Sequence, residues 1–158
     1  MEFTFIDHNS PFLEKVVELG KRNSQTLGLM PRDAYIQQAK KKCIVIAFEG
    51  DALLGYCLFR VVETKHRIGI TQVCVEPTRR LQGISKNLLN HVQSKYKALV
   101  QGMLVSCRED YTEACALWKS FGFVSKKRTR SRSLQERYLL KFWYSFDQID
   151  LFSSEKES

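Results

Sequence analysis

A strand that passes into a helix through a proline and a glycine is the feature that most restricts how this chain can fold. The run T-Q-V-C-V-E-P-T, residues 71–78, is apolar and β-branched, and it stops at Pro77. The turn R-R-L-Q-G-I-S, residues 79–85, follows at once. From Gly83 to about Tyr96 apolar residues then recur at helical spacing. The sequence therefore predicts a buried strand joined to an amphipathic helix by a short polar turn.

Hydrophobic periodicity places the other elements around this strand and helix. Strands are predicted at E-F-T-F-I, C-I-V-I-A-F, L-L-G-Y-C-L-F-R-V-V, I-G-I-T-Q-V-C-V, G-M-L-V-S-C, F-G-F-V and Y-L-L-K-F-W-Y-S-F. Further helices are predicted after Ser10, from Pro31 to about Lys41, and in T-E-A-C-A-L-W-K-S-F. The order βααβββαβαββ has an antiparallel front and then strands that alternate with helices. It predicts a mixed α/β sheet covered by helices.

Composition favours a soluble protein with a single domain. The 158 residues are 44% hydrophobic and 27% charged, as in ordinary globular proteins. No apolar run approaches the ~18 residues of a membrane span, and M-E-F-T-F-I-D lacks the regions of a signal peptide. The five cysteines include no C-x-x-C pair, which argues against zinc and disulfides. We therefore expect a cytoplasmic protein without metal or membrane contact, with one domain at 1–147 and a polar tail at 148–158.

The turn at residues 79–85 has the chemistry of an anion site. The first N–H groups of a helix have no intrahelical acceptor, and the helix dipole adds about half a positive charge there. Gly83 lets an anion approach the backbone, and Arg79 and Arg80 add bidentate donors. A net charge of +8 fits an anionic partner. The alternative is an ordinary turn with solvated arginines, and the spacing alone does not decide between the two.

Two motifs resemble the GNAT superfamily of acetyltransferases. Arg80-x-x-Gly83-x-Ser85 is similar to the signature R/Q-x-x-G-x-G/A, in its usual place after a V-x-V-x-P strand. E-A-C-A-L-W-K-S-F-G-F resembles the late motif A-x-x-F-Y-x-K-x-G-F. The residues on the positions of this late motif are Ala114, Leu117, Trp118, Gly122 and Phe123. The resemblance covers roughly residues 2–146. It implies the GNAT fold, a mostly antiparallel twisted sheet of about six or seven strands flanked by about four helices.

The resemblance also implies an activity and a cofactor. A GNAT N-acetyltransferase transfers an acetyl group from acetyl-CoA to a primary amine by direct attack, without a metal. The family holds the pyrophosphate on the loop after the fourth strand, and that strand pairs with the pantetheine arm and polarises the thioester carbonyl. Carried over by position, the cofactor-binding residues are Val73, Cys74, Val75, Arg79, Arg80, Gln82, Gly83, Ile84 and Ser85. Ser85 stands where the family has glycine or alanine.

The two residues that handle protons in many family members are missing here. The tyrosine that protonates the leaving thiolate is replaced by Trp118, and an indole N–H is no useful acid. The glutamate or histidine base of the fourth strand is replaced by Gly69 and Thr71. Tyr111 and Tyr144 are therefore the candidate catalytic acids, although a tyrosine in the context of Tyr144, F-W-Y-S-F, is more often a core aromatic.

Two other interpretations of the missing residues stay open. The base can be a water chain that touches Thr71, Gln72 or Asp110. Alternatively, the chain is a non-catalytic module that senses acyl-CoA or binds RNA. A site poor in bases suits an α-amine, with a pKa of ~8, better than a lysine, with a pKa of ~10.4. We therefore predict that an α-amine is favoured over lysine, although the acceptor itself is not defined.

A basic segment precedes the last strand. Between Lys126 and Arg137, six of twelve residues are Lys or Arg. The segment is interpreted either as a solvated loop between the last two strands or as a contact with nucleic acid. Some GNAT proteins acetylate aminoacyl-tRNA, which joins an α-amine to a polyanion, so this acceptor is a further alternative. The sequence is compatible with a monomer or a homodimer, because the apolar F-W-Y strand can pair across a dimer.

Overall fold

The computed structural model describes residues 1–130 and 137–147, which contain seven β-strands and five α-helices. The strands are β1 (Glu2–Ile6), β2 (Ile44–Glu49), β3 (Ala52–Val62), β4 (Arg67–Val75), β5 (Gly102–Arg108), β6 (Val124–Arg130) and β7 (Tyr138–Ser145). The helices are α1 (Leu13–Arg22), α2 (Ser24–Leu27), α3 (Arg32–Lys40), α4 (Ile84–Tyr96) and α5 (Thr112–Phe121). Short 3₁₀ turns lie at Glu63–Lys65 and Pro77–Arg79.

The chain divides into two compact units. The first comprises Met1–Val61 and Ile70–Lys95, and the second comprises Val62–Gly69 and the described residues from Tyr96 onward. In the first unit the strand order is β1-β2-β3-β4, and β2 pairs antiparallel with both β1 and β3. A register shift between Ala47 and Phe48 bends the β2–β3 hairpin.

The core of the first unit follows from the periodicity of α1, α3 and the strands. Helix α1 buries one face, and its acidic Glu14 and basic Lys21 and Arg22 lie at the ends that suit the helix dipole. Helix α3 buries Tyr35 and Ala39, four residues apart. The buried residues that pack together are Ile6, Leu13, Val16, Val17, Leu19, Tyr35, Ala39, Ile44, Ile46, Leu53, Tyr56, Leu58 and Cys74.

The second unit is built on the antiparallel order β5-β7-β6. Helix α5 contacts β5 and ends at Gly122, whose φ of 118° lies in the left-handed region that glycine adopts without strain. The chain then turns back, since the Phe123 N–H donates to the Trp118 carbonyl at 3.0 Å. This turn places the Phe123 ring edge-on to Trp118, with ring centroids 5.3 Å apart.

The predicted fold class is confirmed, with seven mostly antiparallel strands and helices between them. The sequence missed helix α2, because four residues are too short to show helical periodicity. Helix α1 begins at Leu13 rather than at Pro11, since Ser10 Oγ accepts from the Phe12 N–H at 3.2 Å and forms a local turn first. The predicted tail at 148–158 lies outside the described residues. Among the described residues, no helix has the length and apolar character needed to cross a bilayer.

Candidate active site

Strand β4 places alternate side chains on two faces ahead of the turn at residues 79–85. Gln72 and Cys74 are buried, whereas Thr71 is exposed and Val73 is half-buried. Gly55 of β3 lies against this part of β4, because a Cβ on Gly55 would lie 2.9 Å from the Cys74 carbonyl oxygen. The end of β4 is tied to β3 by the Glu76 N–H, which donates to the Leu54 carbonyl at 2.8 Å.

The turn presents unpaired backbone donors at the start of α4. Leu81 and Gly83 have φ values of 65° and 73°, so two residues of the turn lie in the left-handed region. A Cβ on Gly83 would meet no atom within 4 Å. The Asn87 N–H is the first of the helix to be paired, with the Gly83 carbonyl at 3.1 Å. Within the described part of the chain, the N–H groups of residues 82–85 have no acceptor, so all four predicted phosphate donors are available.

The two arginines of the turn have different partners. Arg79 Nη2 lies 2.9 Å from Glu49 Oε1, and its Nε donates to Gln82 Oε1 at 3.2 Å. The hydrogen bond to Glu49 raises the pKa of Arg79 and lowers that of Glu49. Arg80 is exposed and has no ion pair among the residues that the structure describes. Arg79 therefore stabilises the turn through Glu49 and Gln82, and Arg80 is the arginine that can bind a phosphate.

The positive charge of Arg80 affects the pKa of the Cys74 thiol on β4. Burial raises the pKa of the Cys74 thiol to about 11, and the nearby positive charge of Arg80 acts in the opposite direction. A raised pKa keeps this thiol protonated and unreactive at neutral pH.

Tyr111 and Tyr144 of the second unit lie in different environments. Tyr111 is the residue before α5, and its hydroxyl accepts a hydrogen bond from Arg108 Nη1 at 2.7 Å. Tyr144 is 8% exposed, and its ring packs against Phe121 and Phe123 at centroid distances of 4.9 and 5.4 Å. The packing supports the interpretation of Tyr144 as a core aromatic. The catalytic role of each tyrosine stays a prediction.

Trp118, at the position of the family tyrosine, is used for packing. It is buried and lies against Phe123. Burial and the adjacent Cys115 raise the pKa of the Cys107 thiol to about 12, and the Trp118 side chain acts in the opposite direction. The Cys107 and Cys115 sulfur atoms are 3.7 Å apart. The indole therefore replaces the tyrosine as a structural group.

The three residues of the predicted water chain are poor proton acceptors. Gln72 Oε1 already accepts from the Tyr56 and Tyr35 hydroxyls, at 2.7 and 3.2 Å. Asp110 is bound by Arg108 and Arg137, and the hydrogen bond from Arg108 lowers its pKa. Thr71 offers only an exposed hydroxyl. None of these three residues can act as a strong general base.

Sequence reasoning missed the buried cluster of Tyr35, Tyr56 and Gln72. A signal was present, because alternation along β4 puts Gln72 on the same face as Ile70 and Cys74. A glutamine on a buried face must find hydrogen-bond partners. These partners lie 16 and 37 residues away along the chain, so no local pattern identifies them.

The basic segment is described only in part. Lys126, Lys127 and Arg130 are exposed on β6, whereas Arg128 binds Glu109 and stacks on Tyr138 with its guanidinium 3.5 Å from the ring centroid. The predicted contact at 126–137 falls partly on residues 131–136, which lie outside the described residues. Across the described ranges, no group of three or more His, Cys, Asp or Glu side chains is arranged to hold a metal ion.

Residues 13–123 match the model of the Acetyltransferase (GNAT) family. Because the match spans well over half of the chain, the protein belongs to this family, and the predicted resemblance is confirmed. A comparison with curated protein sequences gives no match.

Solved structures share the fold over nearly the whole chain. A protein of Streptococcus mutans has a TM-score of 0.80 and 19% identity, covering 92% of this chain and 99% of its own. The ribosomal-protein-S18-alanine N-acetyltransferase of Escherichia coli has a TM-score of 0.76 and 13% identity, covering 92% and 93%. An aminoglycoside 6'-N-acetyltransferase complexed with coenzyme A has a TM-score of 0.79 and 11% identity, covering 92% and 97%. At these identities the likeness shows the fold alone.

Proposed function

We propose that this protein transfers an acetyl group from acetyl-CoA to a primary amine by direct attack. The observation that carries the proposal is the row of four unpaired N–H groups at residues 82–85, opened to solvent by Gly83. Backbone donors at a helix start bind a pyrophosphate without a metal. The exposed Arg80 adds a bidentate cation to this site. Acetyl-CoA supplies the acetyl group as a thioester, and the backbone of residues 73–75 is expected to align its pantetheine arm.

The acceptor that suits this site is an α-amine. Attack on a thioester requires a neutral amine, and Gln72, Asp110 and Thr71 offer no strong base to deprotonate one. At neutral pH an α-amine is partly neutral without help from a base, so it is a better nucleophile here than a lysine amine. The Escherichia coli relative is named for an alanine and the aminoglycoside enzyme for an amino sugar. The fold is therefore compatible with more than one class of acceptor, and the choice of an α-amine rests on the chemistry of the site.

Release of free CoA thiol in the presence of an amine panel tests the proposed function. The panel contains amino acids, peptides with free or blocked amino termini, lysine peptides, polyamines and aminoacyl-tRNA. At pH 7.5 the neutral fraction of an α-amine with a pKa of ~8 is about 200-fold larger than that of a lysine with a pKa of ~10.4, and at pH 9.5 it is only about tenfold larger. We expect the α-amine to be acetylated faster than lysine, and we expect the ratio of the two rates to fall as the pH rises. Equal or faster acetylation of lysine at pH 7.5 would contradict it.

A module that binds acyl-CoA without turnover is the second candidate. It is favoured by Trp118, which occupies the position of the family's proton-donating tyrosine and is buried in packing. Such a module would be stabilised by acetyl-CoA, with a raised Tm, but would release no thiol with any amine of the panel.

Arg80→Gln is expected to weaken acetyl-CoA binding about tenfold, since a charge-assisted hydrogen bond contributes ~1.5 kcal/mol or more. The exposed guanidinium has no ion pair within the described residues, so its loss leaves no buried partner unsatisfied. Isothermal titration calorimetry measures the Kd, and 0.5 M salt should reduce the difference. Arg60→Gln removes the same charge from an exposed position of β3 and serves as the control. Equal Kd values for both variants would exclude Arg80 from the phosphate site.

A further inference from the structure

A glutamine amide is fixed inside the first unit by two tyrosine hydroxyls. Gln72 of β4 is only 4% exposed, and its Oε1 accepts from Tyr56 of β3 at 2.7 Å and from Tyr35 of α3 at 3.2 Å. Burial raises the pKa of Tyr56 well above its usual range, so this hydroxyl keeps its proton. Three polar side chains are thus taken out of water around a single oxygen, an arrangement that is costly unless every group is satisfied.

The backbone of α1 is adapted to this cluster. A Cβ on Gly20 would overlap the Tyr35 hydroxyl and would lie 2.7 Å from the Tyr56 hydroxyl. The two rings meet edge to face, with centroids 6.4 Å apart. Four elements, α1, α3, β3 and β4, therefore converge to hold one amide in one orientation.

The other end of the same amide is unpaired. Because Oε1 receives two O–H donors, the two N–H bonds of Nε2 point the opposite way. Nε2 has no hydrogen-bond partner in the described part of the chain. The only buried and partnerless side-chain atom among the described residues is Gln38 Oε1, so Gln72 Nε2 reaches solvent. Gln72 is thus a nearly buried side chain that presents a fixed donor at the surface of its unit.

The position of this donor bears on the acetyl transfer proposed above. Gln72 directly precedes the stretch expected to bind the pantetheine arm, and successive strand residues are about 3.3 Å apart. A donor here cannot take a proton from the amine, and a hydrogen bond to the amine lone pair would suppress attack. The group that it fits is an oxygen attached next to the amine.

We propose that Gln72 Nε2 donates a hydrogen bond to the oxygen of an α-amino carbonyl group and thereby selects acceptors that carry one. The substrate class is an amine with a carbonyl or carboxylate on the adjacent carbon, as in a free amino acid or a peptide amino terminus. This inference rests on the proposed function and narrows it. Donation from two tyrosines to Oε1 polarises the amide and strengthens its N–H donors. An acceptor without the oxygen leaves the donor desolvated and unpaired, which costs ~2 kcal/mol.

The test compares two small amines that differ in the oxygen. Glycinamide carries the carbonyl, whereas 2,2-difluoroethylamine has a similarly weakened amine but no carbonyl. We expect the wild-type protein to prefer glycinamide about thirtyfold in kcat/KM, the equivalent of ~2 kcal/mol. Gln72→Met should reduce this preference to within about threefold, mainly through KM for glycinamide. Glycine and glycyl peptides, run in parallel, distinguish a free amino acid from a peptide terminus as the source of the group.

Two further variants separate selection of the acceptor from packing. Gln72→Glu still accepts from both tyrosine hydroxyls but loses the N–H donors, so it should lose the preference even if Gln72→Met fails to fold. Tyr35→Phe removes one of the two hydrogen bonds to Gln72 Oε1 but leaves the one from Tyr56. It should therefore lower the stability of the protein and keep the preference for glycinamide. If Gln72 were only structural, the preference would survive in Gln72→Glu, and that result would overturn the inference.

A binding measurement tests the role of Gln72 even if the protein does not transfer acetyl groups. Calorimetric titration of both amines into CoA-saturated protein measures the same preference when no thiol is released. If neither amine is acetylated but glycinamide binds more tightly through Gln72, the proposed transfer fails and the recognition site stands. If both amines are acetylated at equal rates by the wild-type protein, the transfer stands and the role of Gln72 is excluded.

Discussion

A carboxylate at position 83 is expected to weaken acetyl-CoA binding about 100-fold relative to an amide of the same shape. Gly83→Asp and Gly83→Asn both tolerate the φ of 73°, because Asp and Asn enter the left-handed region more readily than other side chains. Neither should clash with the chain, since a Cβ at this position meets nothing within 4 Å. The two variants therefore differ only in charge. A carboxylate placed next to a phosphate costs several kcal/mol of binding free energy. The expected 100-fold ratio of Kd values between the Asp and Asn variants corresponds to ~3 kcal/mol.

Gly50→Asp supplies the control for charge and backbone strain. Gly50 lies in the β2–β3 turn with a φ of 55°, and a Cβ there also meets nothing within 4 Å. This variant should match Gly83→Asp in Tm and bind acetyl-CoA like the wild type. Kd values from calorimetry at low and high salt complete the test, because screening should narrow the gap between Asp and Asn. If the Asp and Asn variants bind equally well, the pyrophosphate does not lie at the start of α4.

The proposed anion site can be recognised in the sequence because its parts are local. The strand end, the glycine and the first turn of α4 follow one another within residues 75–85, and the donors belong to the backbone. The choice between the two arginines is not local. Glu49, which binds Arg79, lies 30 residues away, and only the fold brings them together. The pyrophosphate site stays a prediction from the motif, and the structure adds that Arg79 is paired with Glu49 whereas Arg80 has no ion pair among the described residues.

The proton-handling residues are harder to predict because they depend on side-chain direction. The late motif identified Trp118 as a departure from the family, but not its burial against Phe123. The sequence distinguished Tyr144 as a possible core aromatic but not the partners of the two tyrosines: the Tyr111 hydroxyl is bound by Arg108, and the Tyr144 ring lies among phenylalanines. Such differences arise from tertiary packing that periodicity does not encode.

Gly20→Ala is expected to destabilise the protein by ~3 kcal/mol, the reverse of its usual effect in a helix. In most helices this change is stabilising by up to ~1 kcal/mol, because alanine has the higher helix propensity. Here the new Cβ would overlap the Tyr35 hydroxyl and press on the Tyr56 hydroxyl. Both tyrosines are almost completely buried, so neither ring can move without disturbing the core. Urea denaturation measures the free energy of unfolding, and Lys21→Ala, an exposed neighbour, should change it little.

A double-mutant cycle shows whether the loss arises from the hydroxyl contact. Tyr35→Phe alone should cost ~1 kcal/mol, since it removes one bond to Gln72 and leaves the other. In the double variant the worst overlap is gone, although the Tyr56 hydroxyl still lies 2.7 Å from the new Cβ. The combined loss should therefore be smaller than the sum of the single losses by ~1 kcal/mol or more. If the two losses of stability were strictly additive, the new Cβ would displace α1 from the sheet rather than press on the Tyr35 hydroxyl. The hydroxyls of Tyr35 and Tyr56 would then hold Gln72 too loosely to orient its amide.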